Sequence, residues 1–443
     1  MRSVTGSGPR SRADLLARYR RIRERSSELF DLLSDRAYYS QPIALRHPIV
    51  FYEGHLPAFS FNTLVKKALG GPSIDEHLEA LFARGIDPDE PSSDESPWPS
   101  RDVVRSFADE VDRRVADALL NADIDQPGHP FLDGGEAVFS ILEHEAMHHE
   151  TLLYMWHRLP FSDKKKPIGY SPRTEGVSPP EEWVDVPGGP AVLGVERDTI
   201  PFGWDNECPA LVADVPSFVI ERNDVTNDRF FEFVDEGGYQ DERWWSAEDW
   251  RWIQTEGVAH PLFWERAGDD WYWRGMFDRV PLPSSWPVYV THAEASAFAR
   301  WRGVRLPTEP EFQRAAYGSP NGDCSHPWGH EEPSARTGNF DLVSWDPEPA
   351  GSHPDGASAW GIQDLVGNGW EWTNTPFAPF PGFQAIPSYP EYSADFFDGQ
   401  HFVIKGASPA TASELLRPTF RNWFRPRYPY VYATFRCVRS DSD

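Results

Sequence analysis

The sequence predicts a multidomain chain: an N-terminal four-helix bundle, then an α+β domain built largely of loops. Three observations carry this. A run over 135–159 has no proline and no internal glycine, and its apolar residues Val138, Phe139, Leu142, Met147, Leu152, Met155 and Trp156 recur at three- and four-residue intervals. Two earlier stretches repeat that spacing. After Glu181 the character changes to short strand-like runs among Gly, Pro, Asp and Trp.

The chain has 443 residues, 40% hydrophobic and 14% aromatic, enough for at least two cores. Nineteen tryptophans and 42 prolines favour loops packed on aromatics over a helical array, and no internal repeat is evident. Forty-two basic against 69 acidic residues give a net charge of −27, which opposes nucleic acid or an anionic membrane as partner. Lys164-Lys165-Lys166, the only short basic run, reads as linker. No apolar run reaches membrane-spanning length, and residues 1–10 have no signal-peptide pattern. Three widely spaced cysteines, Cys208, Cys324 and Cys437, point to a reduced, cytoplasmic protein.

In order, Leu15, Leu16, Tyr19, Ile22, Leu29, Phe30 and Leu33 trace a first helix over 13–33. Pro48 suits a first helical position, and 49–67 form a second helix that carries Gly54 and Pro57. Such a helix is weakened or kinked, a cost often accepted near a site. Residues 70–100, acidic and rich in proline and serine around one short amphipathic piece at 74–83, read as a long connection. Ser100 caps a third helix with Val103, Val104, Phe107, Val111, Val115 and Leu119 on its apolar stripe. The run at 135–159 is the fourth. The expected boundaries are 1–165 for the bundle, 166–180 for a linker and 181–443 for the second domain. In that domain, strands are expected at 191–193 and 218–220 and helices at 227–234 and 292–301.

The fourth helix contains Glu143-His144-Glu145-Ala146-Met147-His148-His149-Glu150. At about 100° per residue, His144 and His148 lie one turn apart on one face and can reach a single metal ion. Glu150 points about 200° from His148, and neither it nor Glu145 supplies the carboxylate of a two-His-one-carboxylate iron site. The third ligand must come from elsewhere. His55, between Gly54 and Pro57, is the choice; its competing role is that of a buried histidine bonded to a carbonyl.

These residues resemble a known family. "HEAMHHE" is similar to the His-x-x-x-His-x-Glu signature of the DinB-like helical domain of non-heme iron sulfoxide synthases, the enzymes of ergothioneine and ovothiol biosynthesis. "RHPIVFYEGHLPAF" resembles the stretch holding that family's first iron histidine, which falls on His55; His144 and His148 then complete the set. The second half resembles the formylglycine-generating-enzyme-like domain, a C-type-lectin-related fold, through "FGWDNE" (202–207), "VTN" (225–227), "PVYVTHAEASAFARW" (287–301), "RLPTEPEFQRAA" (305–316), "GNGWEWT" (367–373) and "FRNWFRPRYPYVYATFRC" (420–437). The pair in this order is specific to the sulfoxide synthases.

The resemblance implies Fe(II) as cofactor and O2, cysteine and histidine or hercynine as small-molecule substrates. It also implies C–S bond formation with sulfur oxidation. "YPEYSADFFDG" matches the segment with the family's active-site tyrosines, which makes Tyr389 the catalytic one and Tyr392 its neighbour. Arg421, Asn422, Trp423 and Phe424 are the implied substrate contacts. Two departures matter. Where a formylglycine-generating enzyme has copper-binding cysteines, "GASPATASELL" has Thr411 and Leu416, which opposes sulfatase modification. Where the γ-glutamylcysteine branch has an aspartate after "RNW", Phe424 stands, which favours free cysteine. The wording is closer to the ovothiol branch, without the C-terminal methyltransferase usual there. The competing readings are a zinc-dependent DinB-like thiol transferase, a lectin-like binding module with a structural metal and, within the family, a selenium donor.

Overall fold

The computed structural model describes residues 11–83 and 98–440. The signal-peptide reading of residues 1–10 and the central part of the 70–100 connection lie outside them. The chain divides into two compact units, 1–168 with 386–390, and 169–385 with 391–443.

The first unit is helical. Helix α1, Arg12–Asp31, begins where Ser11 Oγ accepts the Asp14 amide at 3.1 Å. Helix α2, Ile49–Ser60, follows Pro48 and runs through Pro57 into a π-helical segment, Phe61–Ala68. Proline cannot donate the helical hydrogen bond, and widened turns are a known way for a helix to absorb such a disruption. The short α3, Glu76–Leu81, is capped by Asp75. Helix α4, Arg101–Asn121, is capped by Ser100, and buries Val104, Phe107, Val111, Val115 and Leu119. Val103, expected on that stripe, is exposed. Helix α5, Glu136–Arg158, starts after two left-handed glycines, Gly134 and Gly135, and like α2 is buried along most of its length. Helices α1, α2, α4 and α5 form the four-helix bundle, with α3 as an addition.

The second unit is α+β. Strands β1 (Trp183–Val186), β4 (Phe218–Glu221) and β12 (Val438–Ser440) form one sheet in the order β1-β4-β12. Strands β8 (Gly369–Pro376), β9 (Phe402–Ala407), β10 (Asn422–Phe424) and β11 (Ala433–Thr434) form another in the order β10-β9-β8-β11. Hairpin β2 (Gly189–Leu193) with β3 (Leu211–Val215), and the meander β5 (Trp264–Ala267), β6 (Asp270–Arg274) and β7 (Arg279–Pro281), complete the β structure. Helices α6 (Asn227–Asp235) and α8 (His292–Arg302) fall where expected; α7 (Ala247–Glu256) and α9 (Glu309–Tyr317) were not anticipated. Trp204, Trp264, Trp273, Trp286, Trp370 and Trp372 are fully buried, so the tryptophans are core material for a domain with little regular structure.

The 166–180 stretch contains no helix or strand, yet much of it is tied down. Tyr170 Oη donates to Asp346, Arg173 pairs with Glu348, and Trp286 Nε1 donates to the Arg173 carbonyl. Lys164, of the basic run, is buried with its ammonium over the Phe161 ring. Among the described residues no helix is long and apolar enough to cross a membrane, and Cys208, Cys324 and Cys437 form no disulfide.

Candidate metal centre

Three histidines of the helical unit converge. Ligand nitrogens of His55, His144 and His148 all lie within 4.8 Å of one another, the one such group of His, Cys, Asp or Glu among the described residues. Helix spacing brings His144 and His148 together, with ring centroids 4.5 Å apart. His55, from α2, stands 5.2 Å from the first ring and 5.3 Å from the second.

The orientation of His55 has a traceable cause. Its Nδ1 lies 2.7 Å from the Phe82 carbonyl oxygen, which can only accept, so Nδ1 carries the proton and Nε2 keeps its lone pair. Both roles weighed for His55 in the sequence therefore coexist on one ring, one nitrogen for each. Gly54 makes the contact possible, because a β-carbon there would meet the Phe82 ring at 2.4 Å.

Burial holds the imidazoles neutral. It lowers His55 to about 4 despite the opposing hydrogen bond, and pushes His144 and His148 well below the ordinary imidazole range, helped by the neighbouring histidines. Neutral imidazole is the form that binds metal. The buried Nδ1 atoms of His144 and His148 have no hydrogen-bond partner, so nothing in the protein occupies those nitrogens. A soft or borderline divalent ion fits this all-nitrogen set, and three protein ligands leave positions open for substrate.

Tyr389 belongs to the same unit. Segment 386–390 is held by Ser388, whose amide donates to Glu136 Oε1 at 2.9 Å and whose hydroxyl is 2.8 Å from Ser140 Oγ; Lys67 Nζ donates to the Pro387 carbonyl at 3.0 Å. The Tyr389 ring then stands 6.0 Å from His144. The boundaries expected from sequence had put these residues in the second domain. Only contacts more than 200 residues away in the chain bring them into the first.

Tyr392 lies in the second unit, stacked on Trp204 at 4.0 Å and edge-on to Trp423 at 5.4 Å. Trp423 also stacks on Phe377 at 4.2 Å, and Phe424 on Tyr428 at 5.1 Å. Asn422 opens β10, paired with Ile404. Arg421 is tied into the fold. It is 3% exposed, its guanidinium takes both Glu309 oxygens and the carbonyls of Asn206 and Ala378, and it lies over the Phe377 and Phe380 rings. Four of its five N–H donors are thus engaged within the fold, two of them in the buried pair with Glu309.

The sequence reading missed the aromatic lining. Phe59 stacks on His144 at 3.5 Å, Phe51 on His55 at 4.9 Å, and Tyr52 stands 5.8 Å from His148. The signal was present, since Tyr52, His55 and Phe59 are spaced i, i+3 and i+7 on one helical face.

Comparison with known proteins matches residues 18–152 to the DinB superfamily and residues 170–441 to the sulfatase-modifying factor enzyme 1-like domain. A hercynine oxygenase of Mycolicibacterium thermoresistibile is 34% identical over 98% of this chain and 96% of its own length. A hercynine oxygenase of Mycolicibacterium smegmatis is 38% identical over 75% of this chain and 77% of its own. Ergothioneine biosynthesis protein 1 of Neurospora crassa is 26% identical over 92% of this chain and 55% of its own.

Proposed function

Because the chain belongs to the sulfoxide synthase family of thiohistidine biosynthesis, whose members are oxygen-dependent oxidoreductases, we propose that it joins cysteine to the imidazole ring of hercynine or histidine, using Fe(II) and O2. The observation that carries this reading is the convergence of three neutral imidazoles beside Tyr389. The overall change balances. The thiol and the ring C–H together lose four electrons to one O2, a C–S bond replaces S–H and C–H, one oxygen atom ends on sulfur and the other leaves as water.

His55, His144 and His148 would hold the iron. Bound iron supplies the electron transfer to dioxygen and favours the thiolate over the thiol. The chain's own residues do the rest. The Phe82 carbonyl fixes the His55 tautomer, so that its Nε2 needs no proton loss to bind metal. Tyr389, on a segment pinned by Ser388 and Lys67, is the proton donor that favours C–S bond formation over plain oxygenation of the sulfur. Trp423 and Asn422 remain proposed substrate contacts. Phe424 replaces a charged partner with an apolar ring, which favours cysteine over a γ-glutamyl thiol.

Aerobic incubation of the Fe(II)-loaded protein with cysteine and either hercynine, the substrate named for the relatives, or histidine tests the reading. Mass spectrometry and proton NMR should identify a thiohistidine sulfoxide, with kcat/KM higher for cysteine than for γ-glutamylcysteine. Zinc in the protein as purified, with no O2 uptake after iron loading, would instead establish the thiol transferase; the reverse thiol preference would remove the role given to Phe424.

A further inference from the structure

Eleven of the twelve residues of α2 are buried, and Phe59 is the one that is not. Its partly open ring makes three contacts. It lies face to face on His144, with centroids 3.5 Å apart and planes 10° apart; it meets Tyr389 at 5.3 Å and 62°; and it reaches His55 at 6.3 Å. One phenyl ring thus touches two of the three imidazoles and the tyrosine. It has no atom that can ligate a metal or carry a proton. It can only fix where other groups stand.

The histidine ring torsion is broad and roughly two-fold, so a buried imidazole needs an external constraint to hold its plane. A parallel ring at 3.5 Å supplies one, because His144 cannot turn about its ring torsion without displacing Phe59. The inclined contact with Tyr389, at 62°, limits how that ring can approach. Tyr389 lies 6.0 Å from His144, and Phe59 touches both.

We infer that Phe59 is a positioning residue. Its flat face holds the His144 imidazole plane and the Tyr389 ring in one fixed relation, and the partition between C–S bond formation and sulfur oxygenation depends on that relation. The inference rests on the reading of the triad as the iron site and of Tyr389 as proton donor. Geometric displacement of a reacting group on the ångström scale can change rates by about 100-fold. A change of about tenfold in product ratio is therefore expected when the flat ring is lost.

The test compares Phe59→Leu and Phe59→Ile, which remove the flat ring, with Phe59→Trp, which keeps one at a partly open position. Melting temperatures identify which variants fold, and either aliphatic variant suffices. Co(II) alone is titrated into each metal-free protein and its d–d bands recorded, a readout independent of turnover. The Fe(II)-loaded proteins are then assayed for cysteine sulfinic acid against sulfoxide. Expected are one Co(II) per chain throughout, shifted bands and a raised sulfinate share in the aliphatic variants, and wild-type-like behaviour in Phe59→Trp. Unchanged bands and ratio in the aliphatic variants, or equal shifts in all variants, would overturn the positioning role. A wild-type protein that takes up neither metal would instead overturn the iron-site reading, and the positioning role with it.

Discussion

On one side of α5, His144 and His148 face His55 and the rings of Phe59 and Tyr52; one residue further along, Glu145 and His149 turn to α1. There Ser26 Oγ donates to Glu145 and accepts from His149 Nε2 at 2.9 Å, while Arg23 binds Glu145 at 2.8 Å and Asp112 at 2.8 Å. Both pairs are i, i+4, and both combine imidazole with burial. The difference lies in what comes across from the neighbouring helix. A guanidinium and a hydroxyl complete one face as an ion-pair network, whereas a third imidazole among aromatic rings leaves the other with nitrogen lone pairs in common reach. A histidine in an i, i+4 pair on α5 thus joins a candidate metal centre or a structural network according to what the neighbouring helix brings to it.

The largest effect should come from breaking the first face. His55→Ala, His144→Ala and His148→Ala should each abolish turnover and weaken iron retention, measured as metal per chain after desalting. Full iron occupancy and activity in His55→Ala would remove that residue and bring forward His47, tilted against Phe51.

Breaking the second face should do the opposite. Glu145→Ala leaves Arg23 with only the partly exposed Asp112, so the loss should fall short of about 3–5 kcal/mol, the cost of a buried charge left wholly unpaired, while remaining well measurable. Denaturant unfolding should register the loss while iron stoichiometry in the surviving folded protein stays at the wild-type value. Iron loss with unchanged stability would erase the distinction between the faces.

Tyr389→Phe probes the surroundings of the first face without altering its ligands. Loss of a positioned acid is worth about 100-fold or more in the assisted step, so cysteine sulfinic acid should rise at the expense of sulfoxide while iron and substrates still bind. Tyr392→Phe, altered within the Trp204 stack, should leave the product ratio nearer wild type. The reverse pattern would transfer the role to Tyr392, and no change in either would leave the proposed chemistry without its acid.

These contrasts also mark what the sequence could disclose. The four bundle helices and the His144/His148 pair were legible because helical periodicity is local. His55 was chosen from its place between Gly54 and Pro57 and matched by resemblance, and its double role was visible only once the Phe82 carbonyl, 27 residues away, stood beside it. Helix α9 had a local signal that went unread, the Thr308/Glu311 capping box, in which each side chain binds the other residue's amide. The π-helical turn after Pro57 had none, since residue types do not separate it from the α-helix they also suit. The packing of Arg421 and the unit of segment 386–390 were out of reach for a different reason. Glu309 and Glu136, which hold them, lie 112 and about 250 residues away, beyond any periodicity.

The smallest effect expected is that of Ser26→Ala, which tests how the network on α1 is shared. Ser26 is 2% exposed and bridges Glu145 and His149 through one oxygen. Its removal leaves the Arg23–Glu145 pair intact, so the buried charge keeps its partner and the cost should be about 1–3 kcal/mol, that of a buried polar group deprived of its hydrogen bond. Because His149 lies on the opposite side of α5 from the triad, its loss of Ser26 should leave iron affinity and product ratio unaltered. Denaturant midpoints and iron titrations on the same preparations check both halves. A Ser26→Ala protein of wild-type stability would show that Arg23 alone holds Glu145. One whose iron affinity falls would show that the α1 network also sets the rotation of α5, so that the two faces are coupled through the helix they share.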